Sequence, residues 1–270
     1  MPPTLPRLME PEQLNAELGE PMLIIDLCRD ANYDKGHIPG AVHVAPAELM
    51  DGGGPAPGKL PDKKRLDALA TRLGLTPDLP VVVYDDEGGG WAGRMIWTLD
   101  VIGHDRWSYL NGGLVAWKGE GYPLETQPCY PEPVPQTVDI DRRYIAEVDD
   151  IVPRLEEPDF RVWDARSRAE YEGARSASRR AGHIPGAVHC EWTELMDPSR
   201  HYRIREDARD YLADRGLTPD REIVTHCQSH HRSGFTYLVA RLMDYPRIRG
   251  YHGSWSEWGN RDDTPVATGP

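Results

Sequence analysis

Cys227 opens the polar run Cys227, Gln228, Ser229, His230, His231, Arg232, which follows an apolar stretch from Glu222 to Thr225. After it come Phe235, Leu238, Val239 and Leu242 at helical spacing, so a helix is expected from near Ser233, with that serine as its N-cap. A thiol at the carboxyl end of a buried strand, facing loop N–H groups and a helix amino end, sits where a thiolate is favoured and anions collect. His226, His230, His231 and Arg232 add a cationic spot to a chain whose formal net charge is −13. These residue types point to an anion-handling cysteine enzyme with Cys227 as nucleophile. Its polar neighbours place Cys227 at the start of a solvated loop. Cys28 and Cys190 stand among apolar residues, and Cys129 lies in a proline-rich stretch. The crowded histidines raise the question of zinc, but adjacent side chains diverge and two separated ligand pairs are lacking, so no metal is assigned.

The elements that must position this thiol are written twice. Gly36-His-Ile-Pro-Gly-Ala-Val42 recurs unchanged at 182–188, each copy following an apolar run that ends in Asp, at Asp26 and Asp164. The second copy carries an insertion around Gly173 to Arg180, with Arg175, Arg179 and Arg180, which is expected to be an exposed surface segment. Leu73-Gly-Leu-Thr-Pro-Asp78 answers Arg215-Gly-Leu-Thr-Pro-Asp220, and from there the halves are aligned without a gap at an offset of 141. That alignment sets Gly93 on Gly234, Trp117 on Trp258, and Asp86 on Cys227, so the first copy lacks the thiol. The prolines of 127–138 hold the chain extended as a connector, dividing it into domains at 1–126 and 139–270, each able to bury its own core. Strand-like runs alternate with amphipathic ones such as Leu66, Leu69, Ala70 and Leu73, closed by Gly74. The fold class is therefore α/β, two domains that are each a mostly parallel sheet wrapped by helices. Ligands then bind beyond the carboxyl ends of the strands, the edge that carries Cys227.

Histidines 37 and 183 occur in both copies, including the one without a thiol, and are read as turn-stabilising residues. Trp117, Trp255 and Trp258 read as packing residues with a partner for each indole N–H, and Asp26 and Asp164 as ion-paired to Arg29 and Arg166. The balance of 44 acidic against 31 basic residues argues against a general nucleic-acid or anionic-membrane surface, leaving small molecules or proteins as partners. No run approaches the ~20 apolar residues of a membrane span, and the start, Met1 to Arg7, lacks a secretory pattern. Four cysteines without CxxC spacing read as reduced thiols, and the expected location is cytoplasmic.

Across both halves the chain resembles the tandem-domain rhodaneses, the thiosulfate sulfurtransferases. Tyr33-Asp-Lys-Gly-His-Ile-Pro-Gly-Ala-Val-His-Val44 is similar to the family's first motif and Gly253-Ser-Trp-Ser-Glu-Trp258 to its carboxyl-terminal one. The loop at 227–232 is close to the Cys-Gln-Thr-His-His-Arg loop of a bacterial subgroup. The resemblance implies two rhodanese-like domains, the first silent with Asp86 in place of the cysteine. It also implies transfer of a sulfane sulfur from thiosulfate or a similar donor, through a Cys227 persulfide, to a thiophilic acceptor such as cyanide, a thiol or a protein. Substrate would bind at Gln228, Ser229, His230, His231 and Arg232, with neither cofactor nor metal. The loop differs from those of typical mitochondrial thiosulfate enzymes and of mercaptopyruvate enzymes, so the donor, thiosulfate or 3-mercaptopyruvate, stays open. Many relatives place a substrate-binding Arg where this chain has Glu170, which makes Arg232 the best remaining cation. A cysteine phosphatase is an alternative, but its loop is longer than the four residues between Cys227 and Arg232. A non-enzymatic binding module is another, fitting the first half alone.

Overall fold

A computed structural model describes residues 5–270; residues 1–4, on which the reading of the amino-terminal start partly rests, lie outside the described residues. The first half builds strands β1 (Leu8–Met9), β2 (Leu23–Asp26), β3 (Ala41–His43), β4 (Val81–Tyr84) and β5 (Trp107–Leu110). The second half builds β6 (Ile145–Ala146), β7 (Phe160–Asp164), β8 (Val188–His189), β9 (Met196–Asp197), β10 (Arg203–Ile204), β11 (Glu222–His226) and β12 (Ile248–Tyr251). The sheets have the orders β1-β5-β4-β2-β3 and β6-β12-β11-β7-β8, with every neighbouring pair parallel. The short pair β9/β10 is antiparallel and belongs to the second half only. The repeated sequence is thus a repeated topology, and the central strands β4 and β11 are buried, as strands of a parallel sheet covered on both faces are.

The repeated strings do structural work in each half. The His37 ring stacks on Tyr33 and its Nδ1 bonds the Tyr33 carbonyl at 2.9 Å; His183 does the same with Tyr171, also at 2.9 Å. The indoles of Trp117, Trp255 and Trp258 donate to the carbonyls of Pro123, Arg180 and Pro265. Asp164 pairs with Arg166 at 2.6 Å as expected. Asp26 differs: it accepts the Cys28 N–H and lies 3.7 Å from His43, and Arg29 is not its partner.

The core is not divided as the sequence suggests. One hydrophobic cluster runs through both halves, from Leu23 and Val81 to Phe235 and Ile248, while a smaller one lies on the far face of each sheet. The helices Gly90–Val101 and Arg232–Leu242, buried along most of their lengths, cross at the centre of the shared cluster. Gly93 and Gly234 permit that crossing. A Cβ on Gly93 would stand 2.3 Å from the Gly234 carbonyl oxygen, and one on Gly234 would stand 2.5 Å from the Arg94 nitrogen. Below it, Asp100 accepts from Trp107 at 2.8 Å, from Tyr237 at 2.7 Å and from Arg241 at 2.9 Å, a buried polar knot tying the halves together. Among the described residues no helix is long and apolar enough to cross a membrane.

Candidate active site

Strand β11 ends at His226, and the chain then turns sharply through 227–231 before the helix Arg232–Leu242 begins. The cap of that helix is His231, not Ser233, which sits inside the first turn. The segment 254–256 fixes the start of the loop. Trp255 and Ser256 N–H groups donate to the carbonyls of Cys227 and Gln228 at 2.9 Å each, and the Cys227 N–H reaches Ser254 Oγ at 3.4 Å. His230 takes a left-handed conformation, φ 57°, which closes the ring and aims the first helical N–H groups inward.

The Cys227 sulfur is the focus of these donors. Burial pushes the thiol up, but the charge of Arg232, the hydroxyl and N–H of Ser233, and the charge of His231 bring it down to about 7. The other cysteines move the opposite way: burial raises Cys28 and Cys129, and pushes Cys190 up to about 12. Thiol–disulfide chemistry is fastest when the attacking thiol ionises near ambient pH, a condition that Cys227 alone of the four meets. Cys227 is 1% exposed, which differs from the solvated position expected from its neighbours. The loop is folded back under cover from the other half, where a Cβ on Gly58 would lie 2.2 Å from the Ser229 carbonyl oxygen. A surface cavity of about 420 Å³ lies between Ala70, Ile102, His104 and the connector, away from this loop.

The remaining loop residues take different places. Gln228 and Ser229 are half-buried at the rim, and the Gln228 amide donates to Ser178 Oγ at 3.3 Å, so the inserted segment does touch the loop. Its arginines are engaged elsewhere: Arg175 and Arg179 are exposed, Arg179 pairs with Asp262, and Arg180 bonds the Trp258 carbonyl and Thr264. His231 bonds Glu87 of the first half and packs against Trp91 and Trp192. His230 departs from its expected place at the substrate surface. It is fully buried, its Nδ1 meets Ser233 Oγ at 2.8 Å, and its ring stands edge-on to Trp97. With His230 Nδ1–H donating to Ser233, the hydroxyl proton of Ser233 is free to donate to the Cys227 sulfur. Arg232 forms a bidentate pair with Glu170, at 2.7 and 2.9 Å. Burial acts against ionisation of Glu170, but the Arg232 bonds dominate and hold the carboxyl down to about 2. Each terminal nitrogen of Arg232 thus gives one N–H to Glu170, and its influence on the thiolate is that of a nearby charge. Behind the loop, His226 lies 3.5 Å from Asp164, and burial takes its pKa down to about 4.

The first half carries the same cradle around a carboxylate. Asp26 pairs in register with Tyr84 and Asp164 with His226, so the residue following each strand is Asp85 in one half and Cys227 in the other. The hydrogen bonds agree: Leu114 N–H donates to the Asp85 carbonyl as Trp255 N–H does to that of Cys227. This corrects the assignment of Asp86 to the thiol position. Asp86 is a half-buried rim residue bonded by Asn32, whereas Asp85 is fully buried and accepts N–H groups of Glu87 at 3.1 Å, Gly89 at 2.8 Å and Ala92 at 3.0 Å. Burial and the neighbouring Glu87 push its carboxyl up to about 6. The alignment slipped because the first loop is one residue longer than the second.

Sequence reasoning found Cys227 and its loop but not the function of Ser233, read as a cap, nor the cover supplied by Gly58 and Glu87. Ser233 had a usable signal, a hydroxyl in the first helical turn beyond a loop cysteine; Gly58 and Glu87 meet the loop only through the tertiary fold. Among the described residues no group of three or more His, Cys, Asp or Glu side chains is arranged to hold a metal.

The rhodanese-like domain family matches this chain twice, at residues 10–120 and 147–261. The chain is 52% identical over 263 residues to a protein of Pseudomonas aeruginosa named thiosulfate sulfurtransferase, covering 97% of each, and 52% identical over 264 residues to one of that name from Azotobacter vinelandii, again covering 97% of each. It is 30% identical over 237 residues to the 3-mercaptopyruvate sulfurtransferase of Escherichia coli, covering 87% of this chain and 84% of that one. Among solved structures, the complex of EanB Y353A with ergothioneine superposes with a TM-score of 0.86 at 23% identity, over 98% of this chain and 70% of that one, a likeness of fold. On these matches and on its two parallel sheets of identical strand order, the chain belongs to the rhodanese-like family.

Proposed function

We propose that this protein is a thiosulfate sulfurtransferase whose single sulfur-carrying residue is Cys227. The observation that carries the reading is the sulfur of Cys227, held near pKa 7 at the amino end of a helix while the other three thiols are raised. The thiolate attacks the outer sulfur of thiosulfate; the sulfur–sulfur bond of the donor breaks, and its electron pair leaves with sulfite. The Cys227 persulfide that remains is an anion, held by the Ser233 hydroxyl and N–H and by the Arg232 charge. A thiophilic acceptor such as cyanide then attacks the terminal sulfur, leaves as thiocyanate, and returns the thiolate. Neither half-reaction needs a proton or an external oxidant. Gln228, Ser229, His231 and Arg232 form the rim past which donor and acceptor travel, and His230 acts from beneath through Ser233. Since the thiol is 1% exposed, that rim opens for each half-reaction. In this reading the chain divides into a silent domain at 1–126, a connector at 127–138 and a catalytic domain at 139–270, with Asp85 in the silent thiol position. The partners are a small-molecule donor and a small-molecule, thiol or protein acceptor.

Intact-mass measurement after incubation with thiosulfate tests this. A gain of one sulfur, roughly 32 mass units, that cyanide removes and Cys227→Ser abolishes is the expected result. No gain in the unaltered protein, or a gain that survives Cys227→Ser, refutes it. Rapid hydrolysis of an aryl phosphate without sulfite release points instead to the phosphatase reading.

A further inference from the structure

Arg94 belongs to the half that has no thiol, one residue beyond the glycine at the helix crossing. It is completely buried. Its Nη2 donates to the Leu49 carbonyl at 2.6 Å and weakly to that of Lys59 at 3.4 Å, and its guanidinium lies 4.7 Å from the centre of the Trp97 ring. Nε and Nη1 are buried without a hydrogen-bond partner, and no carboxylate among the described residues forms an ion pair with Arg94. A buried charge with orphaned donors is among the costliest features a fold can keep, and neighbouring groups ordinarily evolve to neutralise it.

The other cations near Cys227 are neutralised. Arg232 is clamped by Glu170, His231 by Glu87 and Arg166 by Asp164, while His252, which bonds Glu147 at 3.0 Å, has its pKa lowered by burial. Lys59, on the covering segment, is shared between Glu147 and Glu257. Below the loop, His226 faces Asp164, and His230 is kept neutral by burial and by the Arg94 charge. Trp97 carries Arg94 on its face and meets His230 edge-on, and His230 in turn bonds Ser233 beneath the thiol. We propose that Arg94 is a positioning residue for sulfur transfer: among the described residues, the one cation behind the catalytic loop without a carboxylate partner, contributed by the silent half to hold the anionic sulfur of Cys227. Burial lowers the pKa of Arg94 itself to about 9, and Cys227 is the charge that opposes that fall. Its pull on the thiolate is smaller than those of Arg232 and His231, but it carries no compensating carboxylate. The silent half thereby supplies part of the electrostatics of the active one.

This rests on Cys227 being the sulfur carrier, and the test keeps the two apart. In the full-length protein, the pH dependence of iodoacetamide alkylation is followed on the peptide containing Cys227, for the unaltered chain, Arg94→Lys and Arg94→Gln. The expected result is a midpoint raised by about half a unit to one unit in Arg94→Gln, below the one to three units of a directly contacting charge. Thiolate at pH 7 then falls roughly two- to fivefold. Arg94→Lys, which keeps the charge, stays close to the unaltered protein. An unmoved midpoint in Arg94→Gln overturns the proposal, and so does an equal shift in both variants, which would indicate packing alone. If neither variant folds, the Arg94 Nε–H resonance of the unaltered protein decides: it should titrate with the midpoint of Cys227 alkylation, and a constant shift through that range overturns the assignment. Alkylation that behaves as expected in a protein that takes no sulfur from thiosulfate supports the role of Arg94 while refuting the reaction assigned to the site.

Discussion

Replacing Arg232 by Met separates the charge that Cys227 uses from the ion pair that the fold uses. Arg232 is the largest of the influences that lower the Cys227 pKa, while burial, the largest of all, acts upward and persists without it. The variant thiol should therefore rise from about 7 towards 9.0, the ordinary value. Two units correspond to about 2.7 kcal/mol, and thiolate at pH 7 falls from about one half to about one part in a hundred. The rate falls less, because a more basic thiolate is a better nucleophile: a Brønsted slope of about 0.4–0.5 returns roughly six- to tenfold. At pH 7 sulfur uptake from thiosulfate should drop about five- to tenfold, whereas near pH 10 the variant thiolate should react faster than the native one. Crossing pH–rate profiles are the signature of the argument.

The same substitution strands Glu170, whose side chain is 9% exposed. Breaking a fully buried pair costs about 3–5 kcal/mol and an exposed one about 0–1, so a loss of about 2–3 kcal/mol in urea unfolding is expected here. Adding Glu170→Gln should recover most of that stability and none of the thiolate. The reasoning fails if Arg232→Met keeps a midpoint near 7, or if the double variant restores it.

The register assignment predicts that Asp85→Cys, in a Cys227→Ser background, gains a slow capacity to take sulfur from thiosulfate, because the N–H groups of Gly89 and Ala92 remain to receive it. The position answering Arg232 is Trp91, so the new thiol lacks a cation and should alkylate with a midpoint well above 7; intact mass reports loading, and loading of Asp86→Cys instead would show the register to be wrong. The buried His226 predicts acid sensitivity. Its folded pKa of about 4 lies below the ordinary 6.5, so the unfolded chain takes up a proton that the folded one refuses between those values, and stability falls as pH drops from 6.5 towards 4. The loss, on the order of 3 kcal/mol, should appear as a falling urea midpoint. In His226→Gln that slope should be flatter, and an equally steep one would trace the acid sensitivity to other groups.

What was legible in the sequence followed from local rules. Apolar runs gave the central strands, the spacing of Leu66, Leu69, Ala70 and Leu73 before Gly74 gave the helix Lys63–Arg72, and a seven-residue repeat gave the doubled topology. The solitary thiol before a helix gave Cys227. Hidden were the features made by two distant segments meeting: the continuous core, the Gly58 cover over Ser229, and the Glu87 partner of His231. Solvent exposure was misjudged for Cys227 and His230 for the same reason. A polar neighbourhood in sequence announces hydrogen bonds, and here those bonds are made to Ser233, Ser254 and the segment after Gly253 instead of to water.

The misplaced aspartate is different, because its correction was already in the chain. Gly74 answers Gly216 at an offset of 142, and Gly93 answers Gly234 at 141, so the first half holds one extra residue between them. The paired registers of β4 and β11 leave no room for it within the strands, and the helix crossing fixes the glycines, so it must fall in the loop. That extra residue is what separates the two cradles: the first loop, longer and with Trp91 where the second has Arg232, closes around the Asp85 carboxyl, which occupies the site itself. The second, one residue tighter, closes around the Cys227 thiol, which in the proposed reaction takes up a sulfur and gives it away. A tethered carboxyl in one half and the sulfur site proposed in the other, back to back across a crossing of two glycines, is the arrangement that joins the duplicated halves into one unit.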